Sequence, residues 1–307
     1  MNNTVGYIDR DWPNPHGPGD ASIIIYGYTP SLALAIIGIA SFVLLFIAIL
    51  AQVFRLRAFS LIPACIACVC ELIGYVFRFL SAHQDPYRIS FFVGQYFCIT
   101  VAPVFISASI YVGLGQLVAW ASTSTTLKTG SFLSRLRPKA ILWTFISADI
   151  LCTALQVAGA AVVGERTSNH EDPTQANDIL IAGLAAQVAS FCLFLVLLAM
   201  FVWLLATNPS LDCAPGTTDR HLHRARMYTC VVSVAGILIF VRTIFRLVES
   251  AQGVFGELSS HEVYFGTLEM ATVVIATVLL GIWPPKALLN AARKIDAEGE
   301  AFLLRSN

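Results

Sequence analysis

Seven runs of mostly apolar residues, each about the length a helix needs to cross a bilayer, constrain this chain more than any other feature. They cover Ser31–Val53, Leu61–Leu80, Ser90–Trp120, Ala140–Val163, Ile179–Ala206, Tyr228–Ser250 and Tyr264–Trp283. Inside hydrocarbon a chain must satisfy its own backbone hydrogen bonds, so each run predicts a helix. The third and fifth runs exceed the bilayer, which predicts tilt or projection beyond it. The expected fold is all-α: a polytopic bundle of seven transmembrane helices. Residues 1–29 form an extracellular tail, 30–285 the membrane domain and 286–307 a cytoplasmic tail. Only 12% of the 307 residues are charged, about half the usual share of a soluble domain. The connections are too short to hold an independent core.

Lys and Arg set the orientation. The first, third and fifth connections and the C-terminal tail carry thirteen of them; the N-terminal tail and the other connections carry three. The basic side faces the cytoplasm, so the N-terminus is expected outside. The opening segment, with Trp12, Pro13, Pro15 and Pro18, reads as a polar tail rather than a signal peptide.

Several chemistries are disfavoured. Net charge is zero, so no nucleic-acid partner is expected. Seven of eight cysteines lie in apolar runs and only Cys213 lies in a connection, so no disulfide framework is expected. Cys65, Cys68 and Cys70 read as small apolar side chains rather than a metal site. All six histidines lie in tails or connections, so no metal is expected in the core. No nucleotide-binding loop and no cofactor are expected.

Seven ionisable groups remain inside the runs: Glu71, Arg78, Asp149, Arg242, Arg246, Glu249 and Glu269. Each costs about 2.5–3.5 kcal/mol at a helix centre, so they should face one another or a wet cavity. Glu71, Gly74, Tyr75 and Arg78 share one helical face, as do Arg242, Arg246 and Glu249. Asp149 and Gln156 are seven apart, as are Glu262 and Glu269; Gln95 and Gln187 add amides on two more helices. Two readings stand side by side: an ion-pair network that fixes packing, and a polar interior that binds an amphiphile's head group or relays protons. Arg78 and Glu249 lie near span ends, where snorkelling is an alternative. Glu262 reads as a solvated residue of the outer rim. Pro103 suggests a kink, Gly253 a helix cap, Gly256 a turn, and Pro284–Pro285 the end of the last helix. The small residues Ala154, Ala158, Gly159, Ala160 and Ala161 permit close packing within one bundle or between two.

Several motifs resemble the fungal lipid-translocating exporter family, founded on a protein conferring aminosterol resistance. Tyr28–Thr29–Pro30–Ser31 opens the first span. Glu71 to Arg78 resembles E-x-x-G-Y-x-x-R, and Ala102–Pro103 with Ala108–Ser109–Ile110–Tyr111 resembles the family's third-span segment. Asp149, Gln156 and Gly159, then Gly183–Leu184 with Gln187, follow in order. Arg242 to Glu249 with Gln252–Gly253 resembles R-x-x-F-R-x-x-E-x-x-Q-G, and Glu262 follows. Gly266, Glu269 and Trp283–Pro284 depart from the family's usual Tyr, Asp and His-Pro, which leaves the substrate open.

The resemblance implies a membrane transporter or exporter, not an enzyme, that gives resistance to an amphiphilic lipid-like molecule such as a sphingoid base, a sterol analogue or a related xenobiotic. It leans to the plasma membrane. The candidate substrate-binding residues are Glu71, Tyr75, Arg78, Gln95, Tyr111, Asp149, Gln156, Gln187, Arg242, Arg246, Glu249 and Glu269. Helix movement is expected around Gly74, Pro103 and Gly253. Membrane lipids are the other expected partners, and the sequence leaves the oligomeric state open. The alternatives are a seven-helix lipid receptor or sensor, a porphyrin or haem transporter, and a metal-free intramembrane enzyme using Glu71 and Asp149.

Overall fold

The computed structural model describes residues 30–84, 89–123, 138–168, 172, 174–207, 219–252 and 257–283. Among them are seven helices long and apolar enough to cross a membrane, and no strand. The chain is an integral multi-pass membrane protein.

Helix α1 spans Leu32–Leu56. Ser31 caps it, its hydroxyl accepting from the Leu34 N–H at 3.4 Å. Arg57 ends it in the left-handed conformation at φ 47, a position where glycine is the usual occupant. A short 3₁₀ turn, Phe59–Leu61, leads to α2, Ile62–His83. Pro63 lies in the first turn of α2, where its missing N–H leaves no helical bond unmade. Helices α3 (Ile89–Thr123), α4 (Pro138–Ser168), α5 (Thr174–Thr207) and α6 (Asp219–Gln252) follow. The Thr174 hydroxyl and N–H both donate to Asp172 Oδ1, and these bonds hold the exposed Asp172 carboxyl below the usual carboxylate range. Helix α7 runs Glu262–Ile282 after a single turn at Glu257–Ser260. Residues Phe265–Ala271 of α7 are π-helical.

Length separates these helices from the apolar runs. At 1.5 Å per residue, the 35 residues of α3 reach about 52 Å. Helices α4 and α6, at 31 and 34 residues, also outrun the bilayer. The apolar pattern did not show this because their extensions are polar, as in Asp219–Arg226. Pro103 lies inside α3, which continues through it as one helix. Gly253, Gly256, Pro284, Pro285, Cys213 and both tails lie outside the described residues.

Consecutive helices pack on one another in order, α7 closes against α1, and α3 also reaches α6. Because α3 meets α2, α4 and α6, two thirds of its span is buried, against about a fifth for peripheral α1. Two glycines permit close helix approaches. A Cβ at Gly38 of α1 would lie 2.4 Å from the Tyr75 ring of α2. One at Gly159 of α4 would lie 2.8 Å from the Leu180 backbone nitrogen of α5. Gly159 therefore serves packing within the bundle, while Ala154, Ala158 and Ala161 face outward.

Gly159→Ala sets a methyl against rigid backbone and is expected to destabilise by about 1–3 kcal/mol. Gly236→Ala meets the Leu195 methyl at 3.2 Å, which can turn aside, and is expected to be nearly neutral. Thermal unfolding of both variants in detergent checks the contrast; equal midpoints would show that the α4–α5 approach tolerates a side chain.

Candidate functional site

The polar residues of the bundle fall into two groups. The first joins α1, α2, α3, α6 and α7. At one end of it stands Arg78, fully buried on α2, whose Nη2 donates to Glu262 Oε1 at 2.6 Å. The same oxygen accepts from the Ser31 N–H at 2.9 Å, and the guanidinium lies 4.3 Å from the centroid of the Phe265 ring. One carboxylate thus fastens the start of α1 and the end of α2 to the start of α7.

Further along α6, Arg242 donates through Nε to Glu269 Oε1 at 3.0 Å and through Nη2 to the same oxygen. Nη2 also donates to the Ile99 carbonyl of α3 at 3.0 Å. One turn on, Arg246 pairs with Glu249 at 2.8 Å and donates to the Thr100 hydroxyl at 3.1 Å. Its Nε lies 3.8 Å from Glu269 Oε2, and its guanidinium lies 4.7 Å from the centroid of the Tyr96 ring. Glu269 stands on the π-helical segment of α7. Such segments are rare and often mark functional positions.

Glu71 of α2 is 2% exposed and stands within the field of Glu269, Arg242 and Arg246. Its Oε1 is buried with no hydrogen-bond partner, and no ion pair reaches it among the described residues. Tyr75 is buried one turn on. It stacks on Phe42 of α1 at 5.5 Å and leans on Phe265 of α7. Gln95 is buried one turn before Ile99.

The second group lies where α3, α4 and α5 meet. The Tyr111 hydroxyl donates to Asp149 Oδ2 at 2.7 Å. Phe145, Phe191 and Phe194 surround the Tyr111 ring at centroid distances of 4.5–5.9 Å. Asp149 is fully buried, and its Oδ1 has no hydrogen-bond partner. Two turns along α4, Gln156 Nε2 donates to Gln187 Oε1 at 2.8 Å. On α3, Tyr111 lies eleven residues beyond Thr100, about 16 Å along the axis.

These positions correct two expectations. Arg78 does not snorkel: it is enclosed and paired. Glu262 is no free rim residue, since it accepts from both Arg78 and Ser31. From sequence alone a carboxylate at a span end reads as solvated, so Glu262 is not among the candidate residues. The shared face of Arg242, Arg246 and Glu249 is present, but the twelve candidates do not converge on one centre. Among the described residues no group of three or more His, Cys, Asp or Glu is arranged to hold a metal ion.

The family described as "RTA1 like protein" matches residues 64–292. The chain is 28% identical to "Sphingoid long-chain base transporter RSB1" of Saccharomyces cerevisiae, over 92% of this chain and 78% of that protein. It is 27% identical to "Protein RTA1" of the same organism, over 71% and 64% of the two chains. It is 25% identical to "Protoporphyrin uptake protein 1", also of that organism, over 84% and 91%. No solved structure matches.

Removing one partner of a buried pair leaves an uncompensated charge. Glu269→Gln is expected to destabilise by about 3–5 kcal/mol. The double variant Arg242→Met, Glu269→Met removes both charges and is expected to recover most of that loss. Unfolding midpoints of the single and double variants check this; a double variant no more stable than the single would break the argument.

Proposed function

The chain belongs to the RTA1-like family, and from that membership and the charge balance of its bundle we propose that it exports amphiphiles with an amine head group, sphingoid bases foremost. A transporter named for sphingoid long-chain bases is among its relatives. In this reading it carries its substrate without chemical change.

One observation carries the choice of head group. Among the described residues three arginines are buried in the bundle, and each has its own carboxylate: Arg78 with Glu262, Arg242 with Glu269, and Arg246 with Glu249. Among the described residues Glu71 and Asp149 are left over without a cation. An interior with two surplus carboxylates suits a cationic ligand. An anionic head would have to break a buried ion pair first, at a cost of several kcal/mol. That disfavours phosphate or porphyrin carboxylates as the principal cargo.

Glu71 is the proposed counter-ion of the ammonium. An amine beside it would bond Oε1 and complete the charge balance of the Arg242–Glu269–Arg246 array. Gln95 of α3 is the proposed neutral contact, and the hydrocarbon tail stays toward lipid. Gly74, whose absent Cβ would come 2.6 Å from Ile99 of α3, is the proposed point of sliding between α2 and α3, with Pro103 and Gly253 as further hinges. The excess of Lys and Arg on one side supports an external N-terminus and outward export, and the plasma membrane is the proposed site.

Efflux of labelled sphinganine from whole cells tests this, with wild type against Glu71→Gln at matched surface expression. Protein-dependent efflux that falls at least about tenfold in the variant is expected. Equal efflux would remove Glu71 from the head-group site. No efflux by the folded wild-type chain would overturn the sphingoid-base reading.

A further inference from the structure

We infer that Asp149 is a proton-exchange site, separate from the head-group site, through which export of an ammonium cation is coupled to inward movement of one proton. The coupling rests on the exporter reading above; the assignment of a proton to Asp149 rests on the geometry around it.

The two surplus carboxylates have different surroundings. Glu71 stands in an array of arginines and carboxylates that five helices build. Asp149 of α4 is bonded by a single phenol, that of Tyr111, which lies about 16 Å beyond Thr100 along α3. Among the described residues the elements packed against Asp149 offer no cation. From α3 it faces Tyr111, with Ser107 beside the phenol. On α4 itself Cys152 is the neighbouring titratable group. The titratable side chains of α5 are Asp178, exposed in the first turns of the helix, and Cys192, also exposed, and that helix presents Phe191 and Phe194 instead. A lone carboxylate in hydrocarbon is costly unless a cation or a proton accompanies it. The rings packed around Tyr111 at 4.5–5.9 Å leave little room for an ammonium that bears a long chain. A proton needs none.

The face of α4 supplies a path to it. Asp149, Thr153 and Gln156 recur at the fourth and seventh positions of one helical face, all buried. Asp149 Oδ1 and Thr153 Oγ1 are both buried polar atoms without a hydrogen-bond partner. Gln156 then continues to Gln187 of α5. The balance of the step is simple. Oδ1 gains a proton from the external side as an O–H bond forms, while Tyr111 keeps its bond to Oδ2. The proton leaves to the cytoplasm as one ammonium moves out, so no net charge crosses.

Two measurements test the assignment. The first is the infrared carboxyl band of the purified protein as pH is varied, with no substrate present. A titrating band lost in Asp149→Asn and kept in Glu71→Gln is expected, and Tyr111→Phe should move its midpoint. A titrating band kept in Asp149→Asn, or unmoved in Tyr111→Phe, overturns the inference. The second uses proteoliposomes and N,N,N-trimethylsphingosine, whose fixed charge prevents passive weak-base trapping. An imposed pH gradient should drive its accumulation by wild type, and Asp149→Asn should lose that drive while still exchanging labelled for unlabelled probe. Loss of probe binding in Asp149→Asn would make the residue a counter-ion and overturn the inference. If wild type moves neither this probe nor sphinganine, the exporter reading fails by itself, and the infrared band decides the proton site.

Discussion

A guanidinium in hydrocarbon is tolerable only beside a carboxylate, and that single requirement organises one half of this bundle. Arg78, Arg242 and Arg246 do not merely neutralise themselves. Their remaining donors and their partners' oxygens reach the Ser31 N–H, the Ile99 carbonyl and the Thr100 hydroxyl. Five helices are joined by these contacts without any of the hydrophobic drive that assembles a soluble core. The other half relies on different forces. Between α3, α4 and α5 the contacts are ring against ring, Gly159 against backbone, and one amide pair. Pairwise charge neutralisation in the first half makes Glu71 conspicuous, since four carboxylates there against three arginines leave one to be matched.

Much of this was legible in the chain. Uninterrupted apolar runs can only be helices in lipid, so the count of seven followed from length alone. The i, i+4 and i+7 spacing put Arg242, Arg246 and Glu249 on one face. Pairings across helices were beyond that reach, because spacing reports a face and not its depth. Glu269 could have answered either Arg242 or Arg246, and it answers both. Glu262 was misread because a carboxylate at a span end looks solvated until the partner above it is known. Tyr111 and Asp149 became a unit only when α3 and α4 were set side by side.

The departures from the family's usual residues fit this architecture. Gly266 replaces a usual Tyr, and a Cβ there would come 3.3 Å from Leu34 of α1. The missing side chain lets α1 and α7 approach closely, under the Ser31–Glu262 bond. Glu269 replaces a usual Asp, and its longer reach lets one carboxylate address Arg242 and Arg246 together. Both changes lie in α7 and concern its neighbours rather than the surplus carboxylates.

The π-helical stretch of α7 changes how that helix must be counted. A π turn spends one residue more per backbone bond than an α turn, so an extra residue is absorbed between Phe265 and Ala271. Buried positions are Phe265 and Glu269 within the π-helical stretch, and afterwards the adjacent pairs Thr272–Val273, Ala276–Thr277 and Leu280–Gly281. A helical wheel drawn through the whole span with one angular step would slip out of phase halfway. Two wheels joined at the insertion describe α7, and the carboxylate sits at the seam, where the phase changes.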